Sequence, residues 1–180
     1  KISTKEIKIK DLISLARAAE GSPQLFVLDK ITKEGILSAN INLMFDLNGE
    51  IKNNSQINGT IKKAKFNIFN QAKIDNLNLS FNIKNNQLTL SKIETNLNSV
   101  KLKSPLIKIE KKIDIFFVDG KVINDQQNFD ISKLEPIIDD WLNNIEIEKI
   151  DFNSISTFSF NVNKKLKLND LKLETNLNLE

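Results

Sequence analysis

The chain has 180 residues, a formal net charge of +3 and 27% charged residues, with no Cys, His or Tyr. Disulfides, thiol nucleophiles and any metal site or proton transfer built on imidazole are thereby excluded. The 26 Lys and Arg are interspersed among 23 Asp and Glu, and Arg17 is the only arginine, so the pattern is that of solvated lysines on a sheet face and not of a nucleic-acid-binding stripe.

The length fits one domain or a slice of a longer repetitive protein. The first residue is Lys1, and the sequence carries no signal peptide and no apolar run long enough to span a bilayer. It reads as an excised segment, with approximate sub-units 1–130 and 131–180.

Ile2 to Lys10 alternates loosely and predicts a short strand. Asp11 is placed to cap a helix through Leu12, Ile13, Leu15, Ala16 and Ala19, stopped by Gly21. Pro23 to Lys33 is ambiguous, with room for one or two helical turns before Gly35. A long β region follows. In Leu37 to Leu47, Leu37, Ala39, Ile41, Leu43, Phe45 and Leu47 share one face, and Ser38, Asn40, Asn42, Asp46 and Asn48 the other. After a turn at Asn48-Gly49 come Ile57–Ile61, Ala64–Phe69 and Leu77–Ile83. A tight Asn85-Asn86 turn leads to Leu88–Leu90, Ile93–Leu102 and Leu106–Ile109. Ile113–Phe117 is more fully apolar, and Asp119-Gly120 predicts a turn into Lys121–Ile123. Ser132 and Glu135 are spaced as a capping box for a helix to Asn143, carrying Leu134, Ile137, Ile138, Trp141 and Leu142. Strands resume at Phe158, Phe160 and Val162, turn at Asn163-Lys164-Lys165, and end with Leu166, Leu168 and Leu171–Leu179.

An internal repeat runs through this pattern. Lys73-Ile74-Asp75, Phe81-Asn82-Ile83, Leu88, Leu90 and Glu94-Thr95-Asn96-Leu97-Asn98 recur in order. Their counterparts are Lys149-Ile150-Asp151, Phe160-Asn161-Val162, Leu166, Leu168 and Glu174-Thr175-Asn176-Leu177-Asn178. The implied unit is a strand–hairpin–strand module stacked on its neighbours.

Phe81 to Ser104, with Gln87-Leu88-Thr89-Leu90 and Leu97-Asn98-Ser99-Val100-Lys101-Leu102, resembles the repeating unit of AsmA-like proteins, the group of AsmA, TamB and YhdP. The strand–helix–strand order at Leu25 to Leu47 is nearest the YhdP branch. Where the family often carries Gly-Gly, this chain has Asn98-Ser99. The resemblance implies a periplasmic part of an envelope protein anchored in the inner membrane of a Gram-negative bacterium. It also implies a long β-groove that moves phospholipid towards the outer membrane, with neighbouring repeat modules as further partners.

The expected fold is mainly β: a curved, largely antiparallel sheet with two or three short helices. One face is too apolar to be left in water, since fully covering a large side chain is worth roughly 1.5–3 kcal/mol. Candidate lipid-contacting residues are Leu43, Phe45, Ile57, Ile61, Phe66, Ile68, Leu79, Phe81, Leu88, Leu90, Leu97 and Leu102. Neither a cofactor nor catalysis is expected. Asp139-Asp140 diverge on a helix instead of sharing a proton, and Trp141 reads as an anchor of that helix or a plug at the groove's end. Glu146, Glu148 and Asp151 lack the Gly-bearing loop of a calcium site. Ser14, Ser22 and Ser132 have no histidine partner. The alternative is a structural or adhesive β module whose apolar face is wholly internal; an outer-membrane barrel fragment would carry aromatic girdles that are missing here.

Overall fold

The structure, a computed structural model, describes residues 2–52, 54–68, 72–130, 149–163, 165 and 167–179. These residues are mainly β, with ten strands in one open antiparallel sheet and two short helices among them. In chain order the elements are β1 (Ile2–Ser3), β2 (Ile7–Lys8), α1 (Ile9–Ala19), α2 (Pro23–Ile31), β3 (Thr32–Asn42), β4 (Gln56–Ile68) and β5 (Ala72–Lys84). They continue as β6 (Gln87–Leu97), β7 (Val100–Lys111), β8 (Ile115–Asp130), β9 (Lys149–Asn163) and β10 (Leu168–Leu179). From β3 onward each strand pairs with the next in sequence, while β1 and β2 both pair with the outer edge of β3. The sheet passes without a break from β8 to β9, so the two expected sub-units share one sheet.

Two tight turns hold both of their central residues at positive φ. Asn85 (50°) and Asn86 (62°) join β5 to β6, and Asn98 (47°) and Ser99 (72°) join β6 to β7. Lys63, Asn76, Lys92 and Asp170 also have positive φ, and each falls at a register shift inside a strand or beside one. A bulge of this kind adds one residue to one strand, bending the sheet while keeping the apolar side chains on one face.

The strand boundaries correct several expectations. β3 spans Thr32–Asn42 instead of Leu37–Leu47, because β4 begins at Gln56 opposite Asn42 and the chain beyond folds back on itself, Phe45 bridging Ile51. Ile57–Ile61 and Ala64–Phe69 merge into β4 across the Lys63 bulge. The stretch Ile93–Leu102 contains the Asn98-Ser99 turn and belongs to two strands. Asp119-Gly120 is not a turn but the middle of the 16-residue β8; the glycine is there because a phenylalanine ring lies over it. Ile113, 91% exposed, is in the β7–β8 connection, where Lys112 N donates to Ile115 O at 2.9 Å. The Asn48-Gly49 turn is formed, with Asp46 Oδ1 accepting from Asn48 N and Glu50 N. At the β9–β10 turn, Asn163 Oδ1 accepts from Lys165 N and Lys167 N. The helix expected at Ser132–Asn143, with Asp139, Asp140 and Trp141, lies outside the described residues, as do Glu146 and Glu148.

Helix α1 begins two residues before Asp11, with Lys8 as its N-cap; Asp11 lies in the first turn, where its charge favours the positive end of the helix. Ile9 and Ile13 are buried against Ala64, with Leu37, Ile61, Phe66 and Leu77 around them. Helix α2 is capped by Ser22, whose Oγ accepts from Leu25 N, and ends where the buried Thr32 donates its hydroxyl to Leu28 O at 2.6 Å. Arg17 ties the helices together through an ion pair with Asp29 and a cation–π contact with Phe26. No described helix is long and apolar enough to cross a membrane.

Candidate functional site

Because directly opposed residues in a sheet share a face, the pairing register assembles the face that α1 sits on. One row runs Ala39, Gly59, Phe81, Leu90, Ile107, Gly120, Phe158 and Leu173, one residue from each of β3 to β10. A parallel row runs Ile2, Ile41, Ile57, Ile83, Leu88, Ile109, Val118 and Phe160. Between them, on the opposite face, lie Asn40, Asn58, Asn82, Thr89, Lys108, Asp119, Ser159 and Lys172. Eight strands at 4.7–4.9 Å spacing make each row roughly 35 Å long. No polar side chain interrupts either apolar row.

These rows are not a closed core. Only Ala39 and Val118 in them are buried; Ile83 is 39% and Leu173 64% exposed, and the others are half-buried apart from Ile2, at 59%. A second sheet packed on this face would cover them as protein interiors are covered. Helix α1 packs on β2 and β3 and on Ile61, Ala64, Phe66 and Leu77 of β4 and β5, and α2 contacts β3 and β4; no described helix makes an extensive contact with β6 to β8.

Towards the other end of the strands the same face is better covered. Leu79, Ile93 and Val100 are buried there, with Ser104 opposite Ile93 and Asn124 opposite Ser154. Ser104 Oγ and Asn124 Oδ1 are buried without a hydrogen-bond partner among the described residues.

Ten of the twelve candidate lipid contacts lie on strands with their side chains on this face: Ile57, Ile61, Phe66, Ile68, Leu79, Phe81, Leu88, Leu90, Leu97 and Leu102. Leu43 and Phe45 do not join them. They follow the end of β3 in a loop where Phe45, 54% exposed, bridges only to Ile51. The sequence reading did not place Ala39, Ile83, Ile107, Ile109, Val118, Phe158, Phe160 and Leu173 in the site. Their alternation was visible, but membership in one row follows from cross-strand register.

Of the described clefts, one of about 590 Å³ is lined by Leu106, Asp119, Lys121, Ser159, Lys172 and Glu174, largely from the polar face, and also touches Gly120, Phe158 and Leu173 at one end of the first row. Another, of about 490 Å³, is lined by Lys8, Lys10, Asp11, Lys33, Glu34 and Lys63 at the start of α1. Ser14 and Ser22 line a third, between the helices. Asp151 is exposed on β9, and no cluster of three or more Asp and Glu among the described residues could hold a metal ion. The chain matches no family model, no curated protein and no solved structure.

Proposed function

We propose that the chain is a non-catalytic segment of an AsmA-like envelope protein, carrying or shielding phospholipid acyl chains between the inner and outer membranes. On this reading it works in the periplasm, within a parent protein anchored in the inner membrane, and neighbouring modules extend its sheet. What carries the proposal is the pair of apolar rows that cross eight strands while staying half-exposed. Acyl chains lying along the rows gain about 0.8 kcal/mol per buried methylene. Moving from one strand to the next exchanges an apolar contact for an equal one, so transfer needs no chemical step. Headgroups remain at the aqueous opening.

The test is to mix the full chain with vesicles of phosphatidylethanolamine and phosphatidylglycerol, re-isolate it and weigh it by native mass spectrometry. Complexes carrying whole phospholipids are expected. A folded, monodisperse chain that never acquires lipid would overturn the reading.

A further inference from the structure

The β3–β4, β5–β6, β7–β8 and β9–β10 connections all leave the sheet at one end of its strands. Two of them push apolar side chains into solvent. In the β3–β4 connection Leu47 is 106% exposed, with Met44, Phe45 and Ile51 also exposed; in the β7–β8 connection Ile113 is 91% exposed. The Asn98-Ser99 turn at the other end is flanked instead by the half-buried Leu97 and the buried Val100.

A lone exposed leucine is ordinary. The β3–β4 connection is more than that, because it is folded around its own polar groups. Asp46 Oδ1 accepts from Asn48 N and Glu50 N, Asp46 N donates to Glu50 O, Lys52 N donates to Met44 O, and Met44 N donates to Ser55 Oγ. What the loop turns outward is its apolar side chains, on a backbone already ordered, so seating them in an apolar medium costs little further conformational entropy. Lysines surround the tips. Lys52, Lys84, Lys111, Lys112, Lys165 and Lys167 are exposed at this end, against Glu50, Glu110 and Asp114; the fourth acid, Asp46, is turned into its own loop.

We infer that this end of the sheet docks on a phospholipid bilayer bearing anionic headgroups. Leu47 and Ile113 insert below the phosphates, Phe45 and Ile51 lie at the boundary, and the lysines meet the phosphates. The two tips stand four strand spacings apart, about 20 Å along the sheet, with the polar Asn85-Asn86 turn between them. A bilayer is continuous over that span and takes both tips while the turn stays among headgroups, whereas a protein partner needs two pockets at matching distance. The second apolar row, from Ile41 to Phe160, runs one to three residues inside the strand ends here, so docking sets it beside the acyl region. Passage of lipid onto that row rests on the lipid-carrying reading; the docking itself does not.

The test floats the full chain on a density gradient with vesicles of phosphatidylethanolamine and phosphatidylglycerol. The chain is expected to rise with the vesicles, and binding to fall about three- to tenfold for Leu47→Asn and for Ile113→Asn. Leu15→Asn, at a leucine 69% exposed on α1 towards the other end of the strands, should leave binding unchanged. Because the sequence has no Cys, Leu47→Cys, Ile113→Cys and Leu15→Cys each carry a single environment-sensitive dye. Vesicles should shift the first two to the blue and leave the third. The proposal is overturned if the folded chain stays unbound, if the Asn variants bind as the unsubstituted chain does, or if the dye at position 15 shifts like the others. It is also overturned if this end instead joins two copies in a concentration-dependent dimer that Leu47→Asn abolishes. Native mass spectrometry keeps the two readings apart: flotation without captured lipid supports docking and sinks lipid carriage, and capture without flotation does the reverse.

Discussion

Gly120 on β8 and Phe158 on β9 are directly opposed, and the ring covers the glycine. A Cβ on Gly120 would stand 2.8 Å from Phe158 Cζ and 2.9 Å from Ile107 Cγ1. The arrangement recurs at Gly59 and Phe81 on β4 and β5, where a Cβ would also come within 2.1 Å of the Ser38 carbonyl oxygen. In both places an aromatic ring fills the space left by a missing side chain and keeps the apolar row continuous. Gly120→Ala is expected to lower stability by about 1–3 kcal/mol, as overpacking does. Gly59→Ala loses more, because backbone as well as ring must move. Urea midpoints check the order, and Phe158→Ala combined with Gly120→Ala should fall short of the summed single losses, since it removes the ring that the new methyl meets.

Gly35 serves a different contact. Its φ is +142°, and a Cβ there would be 2.6 Å from Ile9 Cδ1 and 2.9 Å from Ala64 Cβ. The backbone of β3 thus opens a seat for the first turn of α1. Gly35→Ala combines strain with a clash and is expected to cost about 1–3 kcal/mol, expressed locally as release of the helix. Amide exchange should quicken through Ile9–Ala19 while β6 to β8 keep their protection, because their extensive contacts among the described residues are with neighbouring strands of the sheet.

The Asn98-Ser99 turn holds both residues at positive φ, which asparagine tolerates and serine does not. Ser99→Gly is therefore expected to stabilise the chain by about 0.5–1 kcal/mol, read as a rise in urea midpoint at unchanged slope. Ser99→Val should move it the other way.

That turn also shows where the sequence was legible and where it was not. Alternation and the Asn85-Asn86 turn were enough to read a one-sided antiparallel sheet and most of the apolar candidates. Asn98-Ser99 passed as strand because it interrupts the alternation no more than a bulge does. Asp119-Gly120 passed as a turn because glycine between charged residues is the usual turn signal, whereas here it makes room for Phe158. Bulges at Lys63 and Lys92 split β4 and β6 in the reading, since a lysine carries no warning of positive φ. Leu43 and Phe45 continued the alternation of β3 past the point where a partner strand exists. Pattern shows which way a side chain points, but pairing partners decide where a strand ends.

Ser104 is 3% exposed, lies directly opposite the apolar Ile93, and its hydroxyl has no partner among the described residues. A buried hydroxyl left unpaired carries a desolvation penalty of about 1–3 kcal/mol. Ser104→Ala keeps the volume nearly unchanged and removes that group, so it is expected to raise stability by about 1 kcal/mol. Ser104→Val adds bulk at a covered position and should not share the gain. Thermal and urea unfolding of the two variants separate desolvation from packing.

Leu90 and Thr89 are adjacent on β6 and point to opposite faces, which makes them a matched pair for testing the lipid reading. Leu90 stands between Phe81 and Ile107 in an apolar row; Thr89 stands between Asn82 and Lys108 in the polar one. Leu90→Lys puts an ammonium group where an acyl chain would lie and removes one large apolar contact. A loss of about 1.5 kcal/mol of contact corresponds to roughly tenfold weaker lipid capture. Thr89→Lys adds the same charge to the same strand and should leave capture unchanged. Circular dichroism of both variants establishes that the sheet is intact, and lipid bound per chain after vesicle exposure gives the comparison. Equal capture by the two folded variants would show that the apolar rows are not where lipid is held.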